Sequence, residues 1–197
     1  MERLILARHG ESEYSARGTL NGDPAVVVAL TDEGRAQART LGAQLAEERI
    51  DLAVTSQFAR TRETAELALE GRDVPVLVVP ELNDHPAGTY EGKPLADYLV
   101  WAHSSGPDTL IPGTDESRAA VVERFARGFR RVLERPEPTV LAVLHSLPIV
   151  YLLGAAEGRD PVAVLPLLGY AEPESLDAPS VAAAIERLER WCGSPAW

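Results

Sequence analysis

Short apolar runs alternate along the chain with stretches in which apolar residues recur every three or four positions. Each run has only four or five residues and ends at a polar residue or a proline. Runs this short are typical of buried β-strands. We therefore predict strands at residues 4–7, 52–55, 76–79 and 140–144.

The stretches between these runs have the spacing of amphipathic helices. A helix capped by Thr31, for example, would bury Ala38 and Leu41 on one face. The predicted helices lie near residues 31–45, 60–69, 95–101, 114–135 and 180–192. The segment 81–112 has no regular pattern, and we interpret it as a long excursion that carries the helix at 95–101.

Strands that alternate with helices predict an α/β fold. We expect a single three-layer domain over residues 1–197, with a mostly parallel central sheet flanked by helices. The composition agrees, since 45% of the residues are hydrophobic and 25% are charged. A chain of 197 residues can bury a core of its own without disulfides or a structural metal.

Charge and cysteine content narrow the possible classes of protein. The formal net charge of −11 argues against a general binder of nucleic acid or anionic membranes. Cys192 is the single cysteine, so neither an intramolecular disulfide nor a zinc cluster is expected. The first apolar run is too short for a signal peptide, and no run could span a membrane. We therefore expect a cytoplasmic protein, and no pattern favours a particular oligomeric state.

Two histidines follow predicted strands directly. His9 comes after the strand at 4–7, and His145 comes after the strand at 140–144. Ligands of open α/β sheets bind at the carboxyl ends of parallel strands, so both imidazoles would point into one crevice if the strands are neighbours. His85 and His103, which lie in the irregular segment, are candidates for the substrate mouth, and we expect them to be ordinary loop residues rather than catalysts.

Two arginines suggest that the ligand of this crevice is an anion. Arg8 precedes His9, and a buried guanidinium requires a partner. Gly10 would let the backbone approach that anion closely. Arg60 lies at the start of a predicted helix, where a cation is electrostatically misplaced unless it binds an anion. Arg62 is expected to face solvent.

These residues, taken in order, resemble the histidine phosphatase superfamily, which is also called phosphoglycerate-mutase-like. The matching elements are Arg8-His9-Gly10-Glu11-Ser12, Leu30-Thr31 with Gly34 and Gln37-Ala38, Ser56 with Arg60 and Thr64-Ala65, Gly113 to Ser117, and His145. The resemblance extends from the first strand to His145 and is weak beyond Leu153.

The resemblance implies a phosphatase that needs no metal or other cofactor and acts on a small phosphorylated substrate. His9 would attack the phosphorus and form a phosphohistidine, which water then hydrolyses. Arg8, Arg60 and His145 would surround the transferring phosphoryl oxygens. His9 has to be neutral to attack, whereas His145 is expected to titrate differently and to be protonated when phosphate is bound.

The general acid is less clearly marked. Members of the family often carry a glutamate in a segment similar to residues 82–92, and Asp84 takes its place here. Because aspartate is one methylene shorter, the loop has to lie closer or another group has to act. We predict Asp84 as the acid, with Glu81 and Glu91 as alternatives.

A second departure concerns phosphate binding. The family often has an asparagine six residues after the nucleophilic histidine, and this position is Ser15. Ser15 is expected to donate one hydrogen bond to the substrate, and Asn21, on the following loop, is a possible substitute.

Other functions stay open at this stage. A phosphoglycerate mutase would return the phosphoryl group to its substrate, and a phosphohistidine-protein phosphatase would act on a protein. A non-catalytic module of the same fold would bind a phosphorylated ligand only, although such a module has no need of His9.

Overall fold

A five-stranded sheet forms the centre of the molecule, which is described here by a computed structural model of residues 1–197. The strand order is β3-β2-β4-β1-β5. The strands are β1 (Arg3–Arg8), β2 (Leu52–Thr55), β3 (Val76–Val78), β4 (Thr139–Leu144) and β5 (Pro173–Asp177). Strands β1 to β4 are parallel, and β5 pairs with β1 in the antiparallel sense.

Helices cover both faces of the sheet. They are α1 (Glu13–Ala16), α2 (Asp32–Gln44), α3 (Ala59–Ala68), α4 (Leu95–Ser104), α5 (Arg118–Leu133), α6 (Ser146–Ala156) and α7 (Ala178–Cys192). Short 3₁₀ turns occupy Pro80–Leu82 and Gly88–Tyr90. No helix has the length and apolarity required to cross a membrane.

Side chains that alternate along the central strands divide the core into two parts. Leu4 and Leu6 of β1 belong to the larger cluster, which includes the buried faces of α5, α6 and α7. Ile5 and Ala7 belong to the smaller one, against α2 and α3. The predicted three-layer α/β fold with a mostly parallel sheet is therefore confirmed.

Three elements were not predicted. Helix α6 is apolar on almost every side, so it shows no amphipathic spacing, and its Pro148 lies in the first turn, where a missing N–H is tolerated. Helix α1 is only four residues long. Strand β5 lies at the sheet edge and is largely polar, so it lacks a strand pattern.

Two predicted helix starts were wrong by a few residues. Helix α5 begins at Arg118 with Ser117 as its N-cap, rather than at Thr114. Helix α7 begins at Ala178 with Asp177 as its N-cap, rather than at Ser180. In both cases the cap side chain accepts a hydrogen bond from a backbone N–H of the first turn.

Candidate active site

His9 and His145 lie side by side at the carboxyl end of the sheet. Strands β1 and β4 are neighbours, and their register pairs Arg8 with Leu144. The residues that follow these two positions therefore meet, and the imidazole centroids are 5.4 Å apart. Both side chains are buried. The sequence prediction that the two histidines share one crevice agrees with this arrangement.

The hydrogen bonds of His9 define which of its nitrogens is free. Nδ1 lies 2.7 Å from the carbonyl oxygen of Gly10, which can only accept, so Nδ1 carries the proton. Nε2 consequently has a lone pair, and it accepts a hydrogen bond from Arg60 Nε at 3.1 Å. Burial, together with Arg60, His145 and Arg8, lowers the pKa of His9 well below its ordinary value. His9 is therefore a neutral imidazole with Nε2 turned toward the cations.

Gly10 is needed for packing against α2, and the close approach of its backbone to an anion stays a prediction. A Cβ on Gly10 would overlap the carbonyl oxygen of Gly34 in α2, and a Cβ on Gly34 would overlap the carbonyl oxygen of Glu11. The backbone N–H of Gly10 donates to Thr64 Oγ1 of α3 at 3.0 Å. These contacts fix the loop that carries His9 against α2 and α3.

Arg60 contacts several groups of the site at once. Its Nη1 donates to Asn21 Oδ1, and its Nη2 donates to the Asn21 carbonyl oxygen and to His145 Nδ1, each at 3.2 Å. The same Nη2 lies 3.8 Å from Asp84 Oδ2. Burial lowers the pKa of Arg60 to about 10, so it remains a cation at neutral pH. Arg62, two residues later, is exposed, as the sequence predicted.

His145 is held in one orientation from the opposite side. Because Nδ1 accepts from Arg60, Nε2 carries the proton and donates to Ser56 Oγ at 2.8 Å. The ring also packs edge-on against Phe58. Burial and the charge of Arg60 lower the pKa of His145 to about 3. In this state both histidines are neutral, and protonation of His145 upon phosphate binding stays a prediction.

Arg8 reaches the same pocket from the end of β1. Its Nη1 donates to the carbonyl oxygen of Leu168, and its guanidinium carbon lies 3.9 Å from the ring centroid of Tyr170. Nε has no acceptor on the protein. Arg8 is buried and forms no ion pair with a carboxylate, so it retains hydrogen-bonding capacity for an anion.

Asp84 is the acid that enters the site. Its Oδ2 lies 3.7 Å from His145 Nδ1. Its Oδ1 accepts from the Nδ1 of His85 at 3.1 Å and from the backbone N–H of His85 at 3.0 Å. Burial alone would raise the pKa of the Asp84 carboxyl, but His145, His85 and Arg60 together hold it well below its usual range. His85 thus lines the pocket and contacts Asp84, in agreement with its place among the candidates for the substrate mouth.

The alternative acids lie outside the pocket. Glu81 pairs with Arg131 on the surface, with 3.3 Å between Oε2 and Nη1. Glu91 accepts from Asn21 Nδ2 and from the Gly22 N–H, both at 2.8 Å. Of the three acids considered from the sequence, only Asp84 lines the pocket.

Asn21 and Ser15 both line the pocket, at different positions relative to the arginines. Asn21 is fixed by Glu91 and directs its side-chain and backbone oxygens at Arg60. Ser15 Oγ lies 2.9 Å from Ser12 Oγ and makes no hydrogen bond to Arg8 or Arg60. Asn21 therefore orients Arg60, whereas Ser15 forms part of the wall.

Above these polar groups, the pocket has a largely apolar wall and a volume of about 260 Å³. Residues 163–168, which we call the roof segment, belong to the connection between α6 and β5, and residues 163–167 line the pocket. Leu168 N–H donates to Ser146 Oγ at 2.7 Å, which fixes one end of this segment. Sequence reasoning missed the lining residues Arg118, Ser146, Tyr170 and residues 163–167.

A family model places the chain among known proteins. The model described as "Histidine phosphatase superfamily (branch 1)" matches residues 4–171. This match confirms the resemblance that was inferred from the motifs at Arg8–Ser12, Arg60 and His145.

Individual relatives include phosphatases and mutases. An adenosylcobalamin/alpha-ribazole phosphatase of Salmonella typhimurium is 43% identical over 138 residues, with 66% of each chain covered. A 2,3-bisphosphoglycerate-dependent phosphoglycerate mutase of Mycobacterium leprae is 43% identical over 179 residues, with 72% of each covered. The crystal structure of the alpha-ribazole phosphatase of Shigella flexneri superposes with a TM-score of 0.77 at 27% identity and covers 89% of this chain and 90% of that one.

Proposed function

The chain belongs to the histidine phosphatase superfamily, and from this membership we propose that it hydrolyses a small phosphomonoester through a phosphohistidine on His9. One observation carries the proposal: His9 is neutral, and its unprotonated Nε2 points at Arg60. A neutral nitrogen lone pair surrounded by cations is what an attack on a phosphoryl group requires.

In the first step, the phosphoryl oxygens lie among Arg8, Arg60 and His145. Arg60 Nε turns from His9 Nε2 to a phosphoryl oxygen, which frees the lone pair. His9 Nε2 then bonds to phosphorus while the bond from phosphorus to the ester oxygen breaks. The departing oxygen takes the proton of the Asp84 carboxyl, so the alcohol leaves as a neutral molecule.

Asp84 becomes protonated when the substrate binds. In the free site, His145, His85 and Arg60 hold its carboxyl in the ionised form. A bound phosphate draws on the same cations and adds negative charge nearby, and both effects raise the pKa of Asp84. A phosphomonoester has its second pKa near 6, so its monoanion can supply the proton.

In the second step, water attacks the phosphorus of the phosphohistidine. Asp84, now a carboxylate, takes a proton from that water while the bond between phosphorus and His9 Nε2 breaks. The proton on Asp84 passes to the departing phosphate, which leaves as its monoanion, so that Asp84 returns to its ionised form and His9 to its neutral form. The cations stabilise the charge that spreads over the phosphoryl oxygens in both steps.

His85 determines which Asp84 oxygen acts. Its Nδ1 and backbone N–H both donate to Oδ1, so Oδ2 is the oxygen that faces His145 and Arg60. Arg124 holds the loop in place by donating from Nη2 to the Asp84 carbonyl oxygen at 3.1 Å. These contacts support the assignment of Asp84 as the acid, because they fix its side chain with Oδ2 toward His145 and Arg60.

Hydrolysis of 4-nitrophenyl phosphate in the presence of EDTA tests this function. We expect turnover that chelation leaves unchanged, a labelled phosphoenzyme trapped by acid quench, and loss of both in His9→Ala. His103→Ala is the matched control, because His103 is exposed and bonds only the Leu99 carbonyl oxygen. Turnover in His9→Ala at the wild-type rate would overturn the proposal, and absence of a phosphoenzyme would exclude the covalent route.

Phosphoglycerate mutase activity is the second candidate, because mutases are among the relatives. The enzyme would be incubated with 3-phosphoglycerate and a catalytic amount of 2,3-bisphosphoglycerate. Formation of 2-phosphoglycerate would support the mutase, whereas release of inorganic phosphate supports the phosphatase. A non-catalytic binding module would give neither product and no phosphoenzyme.

A further inference from the structure

Arg118 is a third buried arginine in the pocket, and the chemistry proposed above does not use it. It is the first residue of α5 and lines the same pocket as His9. Three arginines in the chain are buried: Arg8, Arg60 and Arg118. Arg60 is paired with Asp84, whereas neither Arg8 nor Arg118 has a carboxylate within ion-pair distance.

The guanidinium of Arg118 is only partly satisfied by the protein. Its Nη2 donates to Tyr151 Oη at 3.0 Å and to the Ala163 carbonyl oxygen at 2.6 Å. Its Nε and Nη1 are buried and have no acceptor on the protein. Burying a cation without a counter-charge is costly, so such a group indicates a ligand when it lines a pocket.

Two more unpartnered polar atoms line the pocket. The Tyr98 hydroxyl and His85 Nε2 are both buried and have no hydrogen-bond partner. The two rings pack together with their centroids 4.7 Å apart. His85 Nδ1 bonds Asp84, so the His85 and Tyr98 rings extend from the proposed general acid to the unpartnered Tyr98 hydroxyl.

We propose that Arg118 and the Tyr98 hydroxyl bind a carboxylate on the alcohol part of the substrate, beside the phosphoryl site. This inference rests on the proposed phosphatase function and specifies its substrate class as phosphomonoesters that carry a carboxylate. A carboxylate fits better than a second phosphate because one guanidinium balances one negative charge. The apolar wall, which includes Leu95, Leu99 and Leu147, suits the hydrocarbon part between the two anionic groups.

Paired aryl phosphates test this subsite. The substrates are 3- and 4-carboxyphenyl phosphate, each compared with the carboxamide of the same shape. We expect wild-type kcat/KM to favour at least one carboxylate over its carboxamide by about tenfold, which is the effect of one charge-assisted hydrogen bond. In Arg118→Gln this ratio should fall to about one. Arg127→Gln, an exposed arginine of the same helix, should keep the wild-type ratio.

A purely structural role of Arg118 predicts a different result. Loss of the bond to Ala163 would disturb the roof segment and lower the rates for both members of a pair, leaving their ratio unchanged. Arg118→Lys keeps the charge with fewer donors and should show an intermediate ratio. A wild-type enzyme without any carboxylate preference, or an unchanged ratio in both Arg118 variants, would overturn the inference.

Binding measurements separate this inference from the proposed function. His9→Ala and His9→Ala/Arg118→Gln would be titrated with the same compounds by calorimetry. Tighter binding of a carboxylate in the first variant only supports the subsite, even if the wild type hydrolyses nothing and the phosphatase proposal fails. Hydrolysis of 4-nitrophenyl phosphate without any carboxylate preference in rate or binding would leave the phosphatase standing and remove the subsite.

Discussion

Arg60 Nε donates a hydrogen bond to His9 Nε2 across 3.1 Å, so the group that would stabilise the phosphoryl oxygens occupies the nucleophile's lone pair in the free site. The same guanidinium bonds Asn21 and His145. Arg60 therefore holds His9 in a neutral, oriented form before any substrate arrives. When the substrate binds, Arg60 Nε has to give up His9 Nε2 as its acceptor and take a phosphoryl oxygen instead.

Arg60→Gln should lower kcat/KM for 4-nitrophenyl phosphate by about 10³, because it removes a preorganised cation from the transferring phosphoryl group. Removal of that charge also raises the pKa of His9, so the acidic limb of the pH profile should move to higher pH. Steady-state kinetics from pH 4 to 8 measures both effects. Arg62→Gln, at an exposed position of the same helix, should match the wild type.

Asp84→Asn should discriminate between leaving groups. Loss of a general acid should slow the hydrolysis of phenyl and alkyl phosphates by about 10² or more, while 4-nitrophenyl phosphate, whose leaving group needs little protonation, is less affected. A plot of log kcat/KM against leaving-group pKa gives the measurement. Glu81→Gln serves as the control, and an equal loss across all leaving groups in Asp84→Asn would argue against acid catalysis.

His85→Phe tests the positioning of Asp84. Phenylalanine keeps an aromatic ring against Tyr98 but removes the Nδ1 donor to Asp84 Oδ1. We expect kcat for poor leaving groups to fall by about tenfold, as is typical when a hydrogen bond to a charged group is lost. His85→Asn, whose side-chain amide can donate from a similar position, should restore part of the rate. An unchanged dependence on leaving-group pKa in His85→Phe would reduce His85 to a packing role.

Gly34→Ala should destabilise the fold by about 2 kcal/mol or more, since its Cβ would overlap the Glu11 carbonyl oxygen and displace the loop that carries His9. Equilibrium unfolding in urea measures this change. Gly154→Ala is the control because the nearest neighbouring atom would lie 3.8 Å from its Cβ, an ordinary contact. Equal stabilities of the two variants would contradict the packing role assigned to the glycine contact.

The two buried histidines should make stability depend on pH. The pKa of His145 is about 3 in the folded chain, against 6.5 for an ordinary histidine. Below pH 6.5 the unfolded chain therefore binds a proton that the folded one does not, and the free energy of unfolding falls as the pH is lowered. Each such histidine contributes about 1.4 kcal/mol per pH unit. Urea unfolding between pH 6.5 and 5 should show a smaller slope in His145→Gln than in the wild type or in His103→Gln.

Local patterns in the sequence were sufficient to predict the parts of the site that follow strands. The apolar runs before His9 and His145 predicted two buried strands, and the sheet topology then makes these residues neighbours. Arg60 was predicted from the electrostatics of a helix terminus, because a cation at a helix N-terminus is unfavourable without an anion.

A cation at a helix N-terminus also indicates an anion at Arg118, but the start of this helix was predicted too early in the chain to show it. The helix was expected to begin at Thr114, which would place Arg118 in its second turn, where a cation is unremarkable. The structure begins α5 at Arg118 itself. The contacts of His85 with Asp84 and Tyr98 were not predicted, because they depend on how an irregular segment folds back on α4, and no periodic pattern encodes that.

The roof segment has a consequence for how proteins of this kind diverge. The groups proposed to perform the chemistry come from strand ends, from the start of α3 and from residues that precede α4. The roof segment, which we propose covers the alcohol part of the substrate, belongs to the connection between α6 and β5. A hydrogen bond from Arg8 to the Leu168 carbonyl oxygen joins the two parts. Selection can therefore exchange the roof, and with it the preferred metabolite, while an inherited reaction centre stays intact beneath it.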